Sequence, residues 1–540
     1  MTGTRQEGGN ERAPKHGLLQ SAGIVSAAIA TSRLTGLVRE SVLSSLFGAG
    51  AVSDAYVLAF RIPSLARELF AEGALSSAFI PTFTRFLTTK SRAETRELSN
   101  ITGAVLLLFT GVFCAFGMVF SPAIVHLFAP GFSAVPGKAE LTVTLLRTMF
   151  PFLVLLALSA QAQGILYATH SFGVPAVSPA LFNIASVASG LALGYWLGPH
   201  IGLAPVRGMA FGMVIGGAAQ LGFQLPGVWR AGFAWRPRWN LRHEGVRQIL
   251  RLMGPALLGS ASGQLNMLVN TSFAAGITDA SGRVMNGPVS WLAYAYRLFG
   301  LPMGVFGVAI AAAALPRLSR SAAVSDFAEF RETLSRSIVM IMLLTVPASV
   351  GLALLGESMI AVVYQHGRFL AFDTHQTALA LSCYSAGLAA YAGMKLIAPA
   401  FYALGDARTP ALVSLASVAV NTAVAFTTVK VLGFGHAGLA LSTSVVATFS
   451  AIVLLLFLRG KIGGIHGVDL VVNALKIGLA AAVMGLVCWV VVRETHSNAA
   501  HIILGIPAGA ASFYAAATAL RIPELAGATE SVLRRFRRTT

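Results

Sequence analysis

A chain of 540 residues with only 11% charged residues and a mean hydropathy of +0.73 is not composed like a soluble globular protein. Its formal net charge of +18 would suit a nucleic-acid partner, but the basic residues gather in alternate connections between apolar runs. That distribution reports orientation in a membrane and contact with anionic lipid headgroups, and it excludes a nucleic-acid partner.

Taken in order, residues 1–16, MTGTRQEGGNERAPKH, form a polar tail that reads as disordered. The apolar stretch Gly17 to Thr31 lacks a cleavage context and is read as an uncleaved first membrane helix. Apolar runs long enough for a hydrocarbon core of ~30 Å then recur to the end, as in ITGAVLLLFTGVFCAFGMVF at 101–120. They predict about fourteen spans: 17–47, 52–86, 98–128, 139–168, 175–198, 206–229, 247–276, 287–317, 329–355, 372–403, 409–432, 436–459, 469–493 and 499–521. Basic clusters lie at Arg85–Lys90–Arg92–Arg96, between Arg230 and Arg251, between Arg317 and Arg336, at Arg459–Lys461 and in the tail LRRFRR. With both termini in the cytoplasm, every one of these falls on the inner side. The expected fold is an all-α integral membrane protein. Cys114, Cys383 and Cys488 sit singly in separate apolar runs, which offers neither a disulfide framework nor a metal spacing.

The chain repeats itself at one offset. SAFIPTFTR (77–85) resembles AAALPRLSR (312–320), and ILYATHSFGVPA (165–176) resembles AFYALGDARTPA (400–411). Pro81 matches Pro316, Tyr167 matches Tyr402 and Pro175 matches Pro410, each pair 235 residues apart. Two homologous six-helix lobes around a central cavity follow, in the same orientation because six is even. The lobes are 17–230 and 231–460, the second opening on a basic linker at 230–246. Residues 461–540, with two further helices and the basic tail, stand outside the repeat.

Charged groups inside apolar spans are the candidate functional residues. On one helix, Asp54, Arg61, Glu68 and Glu72 are spaced seven, seven and four apart and share a stripe. A charge at bilayer depth costs about 2.5–3.5 kcal/mol even on the mild insertion scale, so this stripe faces protein or a wet cavity. Arg33, Arg39 and Glu40 stand in the first span, Arg67 in the second and Arg297 in the eighth. Arginine keeps its charge and offers a planar fork of donors suited to phosphate or diphosphate. A set of intramembrane ion pairs that only fixes helix packing is the plainer alternative, and it suits Glu40, Glu68 and Glu72. No HExxH, phosphate-binding loop or G-x-S-x-G elbow occurs. Asp406–Arg408 in ALGDARTP reads as a structural turn on the inner side.

SRLTGLVRE, FGAGAVSDAYVLAFRIPSLARELFAEGALSSAFIP, APGF at 129–132, YAYRLFGLPMGVFGVAIAAAALPRLS and APAFYALGDARTP resemble the MurJ (MviN) family of lipid II flippases. The likeness covers essentially the whole chain. It implies a transporter of the multidrug, oligosaccharidyl-lipid and polysaccharide exporter superfamily. Such a protein moves undecaprenyl-pyrophosphate-linked disaccharide-pentapeptide from the inner to the outer leaflet by alternating access, in a bacterial inner membrane. By motif, the resemblance carries substrate binding to Arg33, Arg39, Arg67 and Arg297, and a charged partnership to Asp54 and Glu72. It carries a groove for the polyprenyl tail to 469–521. Some members bind sodium through acidic residues in the seventh and eleventh helices. Asn270 and Asn421 stand in those helices here without a carboxylate, a departure from that pattern. No cofactor is expected; coupling to the membrane potential or to a monovalent cation is. Lipid II, membrane lipids and cell-wall synthesis proteins are the expected partners. The alternatives are another polyprenyl-linked oligosaccharide or drug exporter, and, further off, a polyprenyl-phosphate membrane enzyme.

Overall fold

The computed structural model describes residues 15–68 and 75–525. The polar tail before Lys15, Glu72 and the C-terminal LRRFRR lie outside the described residues. The described residues are predominantly helical, with one isolated antiparallel bridge between Thr278 and Val284. The first helices are α1 (Lys15–Phe47), α2 (Ala51–Arg67), α3 (Ser76–Thr89), α4 (Arg92–Val119), α5 (Ser121–Phe128), α6 (Lys138–Met149) and α7 (Pro151–Ala168). There follow α8 (Gly173–Leu191), α9 (Gly198–Ile201), α10 (Pro205–Arg230), α11 (Glu244–Ala275), α12 (Pro288–Pro302), α13 (Val308–Ala323) and α14 (Phe327–Tyr364). The last are α15 (Ala371–Ser385), α16 (Leu388–Ala403), α17 (Arg408–Phe426), α18 (Gly435–Ile462), α19 (Gly467–Glu494) and α20 (Asn498–Ala519).

Among the described residues, ten helices are long and apolar enough to cross a membrane. The other four predicted spans are helical but diluted or divided. α1 carries Arg33, Arg39 and Glu40, and α11 carries Gln264, Asn266 and Asn270. α2 has 17 residues, and the run 372–403 is split at Ala386–Gly387 into helices of 15 and 16 residues. In α1 and α11 the dilution includes residues that the sequence singled out, Arg33, Arg39, Glu40 and Asn270, whereas the split at Ala386–Gly387 involves none of them.

The repeat is visible in the backbone. Two residues past the end of α7, His170 takes the left-handed region at φ 60°, and two residues past the end of α16, Gly405 does so at φ 74°. Ser171 N–H donates to the Leu166 carbonyl at 2.8 Å, and Asp406 N–H donates to the Phe401 carbonyl at 2.9 Å. These are matching Schellman-type closures at the 235-residue offset. π-helical turns begin at Ala192 and Thr427, with the same offset. Beyond the second closure, the Asp406 carboxylate accepts the amides of Arg408 and Thr409 and pairs with Lys461 at 2.5 Å. The Lys461 ammonium and then the Thr409 hydroxyl hold that carboxyl below the usual carboxylate range.

The chain divides into two compact units. One comprises residues 1–39, 66–116 and 148–254, within the described range. Its core gathers Phe79, Phe83, Phe86, Ile101, Ile165 and Phe233 from α3, α4, α7 and the linker after α10. Here α10 lies against α8 along Gly208, Gly212 and Gly216, where a Cβ on Gly212 would sit 2.4 Å from the Ser186 carbonyl oxygen. The other comprises 40–65, 117–147 and 255–540. Its core joins α13, α14, α16 and α18 through Leu318, Phe330, Leu396, Phe401 and Leu454. α19 and α20 pack on each other and onto α14, with Ile477, Ala480 and Ala517 against Val339 and Leu343.

Candidate substrate-binding site

In the first unit, α1 carries Arg33 half-buried and Arg39 buried at 6% exposure. The Arg39 guanidinium lies 5.5 Å from the centre of the Phe182 ring, which itself stacks on Phe152. Next to it, Asn183 on α8 donates to the Ser32 carbonyl at 3.1 Å and to the Thr35 hydroxyl at 3.3 Å. The α1 arginines are thus mounted on a helix pinned by α8. Arg67 ends α2 and pairs with its neighbour Glu68 at 3.6 Å, both partly exposed. A pair of that kind contributes little by itself. The same unit holds a buried polar set that sequence reasoning missed. Gln224 donates to Ser159 at 3.0 Å and to Ser178 at 2.7 Å, joining α7, α8 and α10.

In the second unit, Arg297 on α12 pairs with Glu40 on α1 at 3.3 Å, with 41% and 17% of their side chains exposed. Arg61 donates to the Thr271 hydroxyl of α11 at 2.8 Å. Asp54 has a different environment from the one its stripe suggested. It is fully enclosed and accepts four hydrogen bonds, from Lys138 Nζ at 2.8 Å, Gly287 N–H at 2.8 Å, Ser290 N–H at 2.9 Å and Ser290 Oγ at 2.7 Å. Its positive partner is therefore a lysine and not one of the arginines. Lys138, 2% exposed, also donates to Asn286 and lies 4.1 Å from the centre of the Phe132 ring of the APGF motif.

One local signal points to this knot. α12 starts at Gly287–Pro288 without a side-chain cap of its own. Proline suits the first helical position, but the free amides of the first turn still need an acceptor. Asp54 supplies it from a helix 233 residues away, and the partial positive charge of the α12 start stabilises the carboxylate. Lys138 gave no signal because a lysine in a connection is ordinarily solvated.

Asn270 and Asn421 do meet. Asn421 Nδ2 donates to Asn270 Oδ1 at 3.0 Å, Asn270 Nδ2 to Thr443 at 3.0 Å, and Ser442 to Asn421 Oδ1 at 3.0 Å. Asn266 joins through Ser417 at 3.0 Å. The Asn270 and Asn421 amide oxygens accept hydrogens from their neighbours, Asn266 Oδ1 is buried without a hydrogen-bond partner, and the set brings no formal negative charge. It does not fit a sodium ion of the kind acidic ligands hold. Among the described residues, no cluster of three His, Cys, Asp or Glu could hold a metal.

With this geometry in hand, comparison with known proteins is informative. A family model described as lipid II flippase MurJ matches residues 43–506. A probable lipid II flippase MurJ of Haemophilus influenzae is 33% identical over 476 residues, covering 86% of this chain and 90% of that protein. A lipid II flippase MurJ of Burkholderia cenocepacia is 33% identical over 441 residues, covering 81% and 83%. A solved structure of a lipid II flippase MurJ in an inward closed conformation superposes with a TM-score of 0.76 at 24% identity, covering 92% and 98%. An inward-facing multidrug resistance MATE family transporter of the MOP superfamily gives 0.64 at 18% identity, covering 82% and 98%. These two likenesses speak to the fold.

Proposed function

The chain belongs to the lipid II flippase MurJ family, and from that premise we propose how its residues serve transport. It is a multi-pass membrane transporter and not an enzyme. Its substrate is lipid II, carried from the inner to the outer leaflet of the cytoplasmic membrane by alternating access for peptidoglycan synthesis. The observation that carries this reading is the family match across 43–506, joined to guanidinium groups standing in apolar helices.

On this reading Arg33, Arg39, Arg67 and Arg297 are the groups the diphosphate meets during its passage. A guanidinium–phosphate contact is charge-assisted and bidentate, and it holds where water is scarce. Glu40 occupies Arg297 until the diphosphate replaces it, so exchange of one anion for another accompanies loading. Glu72 is a second such exchanging partner. The polyprenyl tail stays in the bilayer against the exposed apolar face of α19 and α20, where Leu475, Leu486 and Ile503 are turned outward. The basic connections support a cytoplasmic position for both termini. The membrane potential is the driving influence, at ~2.3 kcal/mol per charge per 100 mV. Cell-wall synthesis proteins are the further partners.

Depleting the protein from growing cells tests the function. Lipid II should accumulate in the inner leaflet before growth stops. Normal delivery of lipid II to the outer leaflet after depletion would overturn the reading.

A further inference from the structure

The linker after α10 does more than join helices. Residues 233–240 carry no regular secondary structure and lie along α4. Arg92 and Arg96 of α4 donate to the carbonyls of Ala231 and Gly232, and Asn100 accepts the Arg236 N–H at 2.9 Å. Phe233 is buried edge-on against Phe83, 5.1 Å between ring centres. Trp235 lies so close to Gly103 that a Cβ there would come within 2.6 Å of its ring nitrogen. These contacts fix the linker from the polar start of α4 to the beginning of its apolar stretch.

Beyond that point the linker and α4 enclose an open groove of about 540 Å³. Small residues of α4, Ala104, Gly111 and Ala115, form part of its lining, and Pro237 and Trp239 close one side. The lining is almost wholly apolar. At the rim, Arg236 and Arg238 flank Pro237, are exposed, and make no ion pair among the described residues. From Arg230 to Arg242 the linker holds four arginines and no carboxylate.

We propose that this groove is a binding site for an anionic phospholipid that is not transported, its acyl chain along α4 and its phosphate at Arg236 and Arg238. The apolar floor matches a hydrocarbon chain, and the tryptophans match the depth at which indole prefers to sit. The unpaired arginines supply charge complementarity to a phosphate that a zwitterionic headgroup partly cancels. Such a lipid would hold the linker to α4 and make its order depend on anionic lipid.

The test uses the full chain in phosphatidylcholine vesicles doped with phosphatidylglycerol, one lipid or the other brominated in its acyl chains. The difference in fluorescence between wild type and Trp239→Phe isolates Trp239. Brominated phosphatidylglycerol should quench it at about tenfold lower mole fraction than brominated phosphatidylcholine. Arg236→Gln with Arg238→Gln should abolish that preference, while Arg236→Lys with Arg238→Lys should keep most of it. Equal quenching by the two lipids means bulk lipid only and overturns the proposal, as does a preference that survives the glutamine pair. Relief of quenching by undecaprenyl phosphate, with phosphatidylglycerol in large excess, would reassign the groove to a polyprenyl chain and overturn it too.

Discussion

At Asp54 four donors converge on one enclosed carboxylate, and one of them is an equally enclosed ammonium. Burying both ions is costly, and the return comes from complete hydrogen bonding of the carboxylate and from the uncapped start of α12. Removing one partner leaves the other charge stranded. Lys138→Met should therefore destabilise the protein by about 3–5 kcal/mol, read as a lower thermal midpoint in detergent. Lys138→Met with Asp54→Asn should recover part of that loss, because no bare charge remains. An unchanged midpoint in Lys138→Met would show that the pair is idle. Charged residues were legible in the sequence wherever their position was expensive, as for Arg33, Arg39, Asp54 and Arg297. Their partners were legible only in part. Glu68 pairs with its sequence neighbour Arg67, whereas Glu40 pairs with Arg297 of another helix, a partner that proximity in sequence did not suggest. Lys138 and Thr271 reach their partners from other helices, through packing that no local spacing encodes.

At the level of elements, two helix ends built to one plan differ in a single residue type. His170 and Gly405 both take a left-handed conformation, which a side chain resists and glycine does not. His170→Gly should raise stability by about 1 kcal/mol and Gly405→Ala should lower it by about the same amount. Thermal midpoints of the two variants check this, and shifts of the same sign would contradict it. The repeat was legible because prolines and turn residues fix backbone geometry, and geometry is what a duplicated helix pair retains. Of the fourteen spans predicted from hydropathy, ten are present among the described residues as helices long and apolar enough to cross a membrane. Of the remaining four, α1 and α11 are diluted by polar and charged side chains, α2 has 17 residues, and 372–403 is divided at Ala386–Gly387. Asn270 and Asn421, noted in the sequence only as standing in the seventh and eleventh spans without a carboxylate, are hydrogen-bonded to each other. Their hydrogen-bonded amides leave no charge to offer a cation, a property of the whole cluster that no single residue reveals.

For the whole molecule, the family and the transport class were carried by long motifs, and the sequence was enough to recognise them. Which arginines meet substrate is a separate claim, and it rests on chemistry. Arg33, Arg39 and Arg67 belong to the first unit and Arg297 to the second. If each takes part in holding a diphosphate, losing one charge-assisted contact removes about 1.5–3 kcal/mol, or roughly tenfold to a hundredfold in transport. A purely structural arginine would instead reveal itself through misfolding. The decisive measurement is lipid II translocation by the reconstituted full chain, comparing wild type with Arg33→Ala and Arg297→Ala at matched insertion and thermal stability. Transport should fall by at least about tenfold in each variant. Wild-type rates in two stable, inserted variants would contradict the claim that these guanidinium groups carry the substrate.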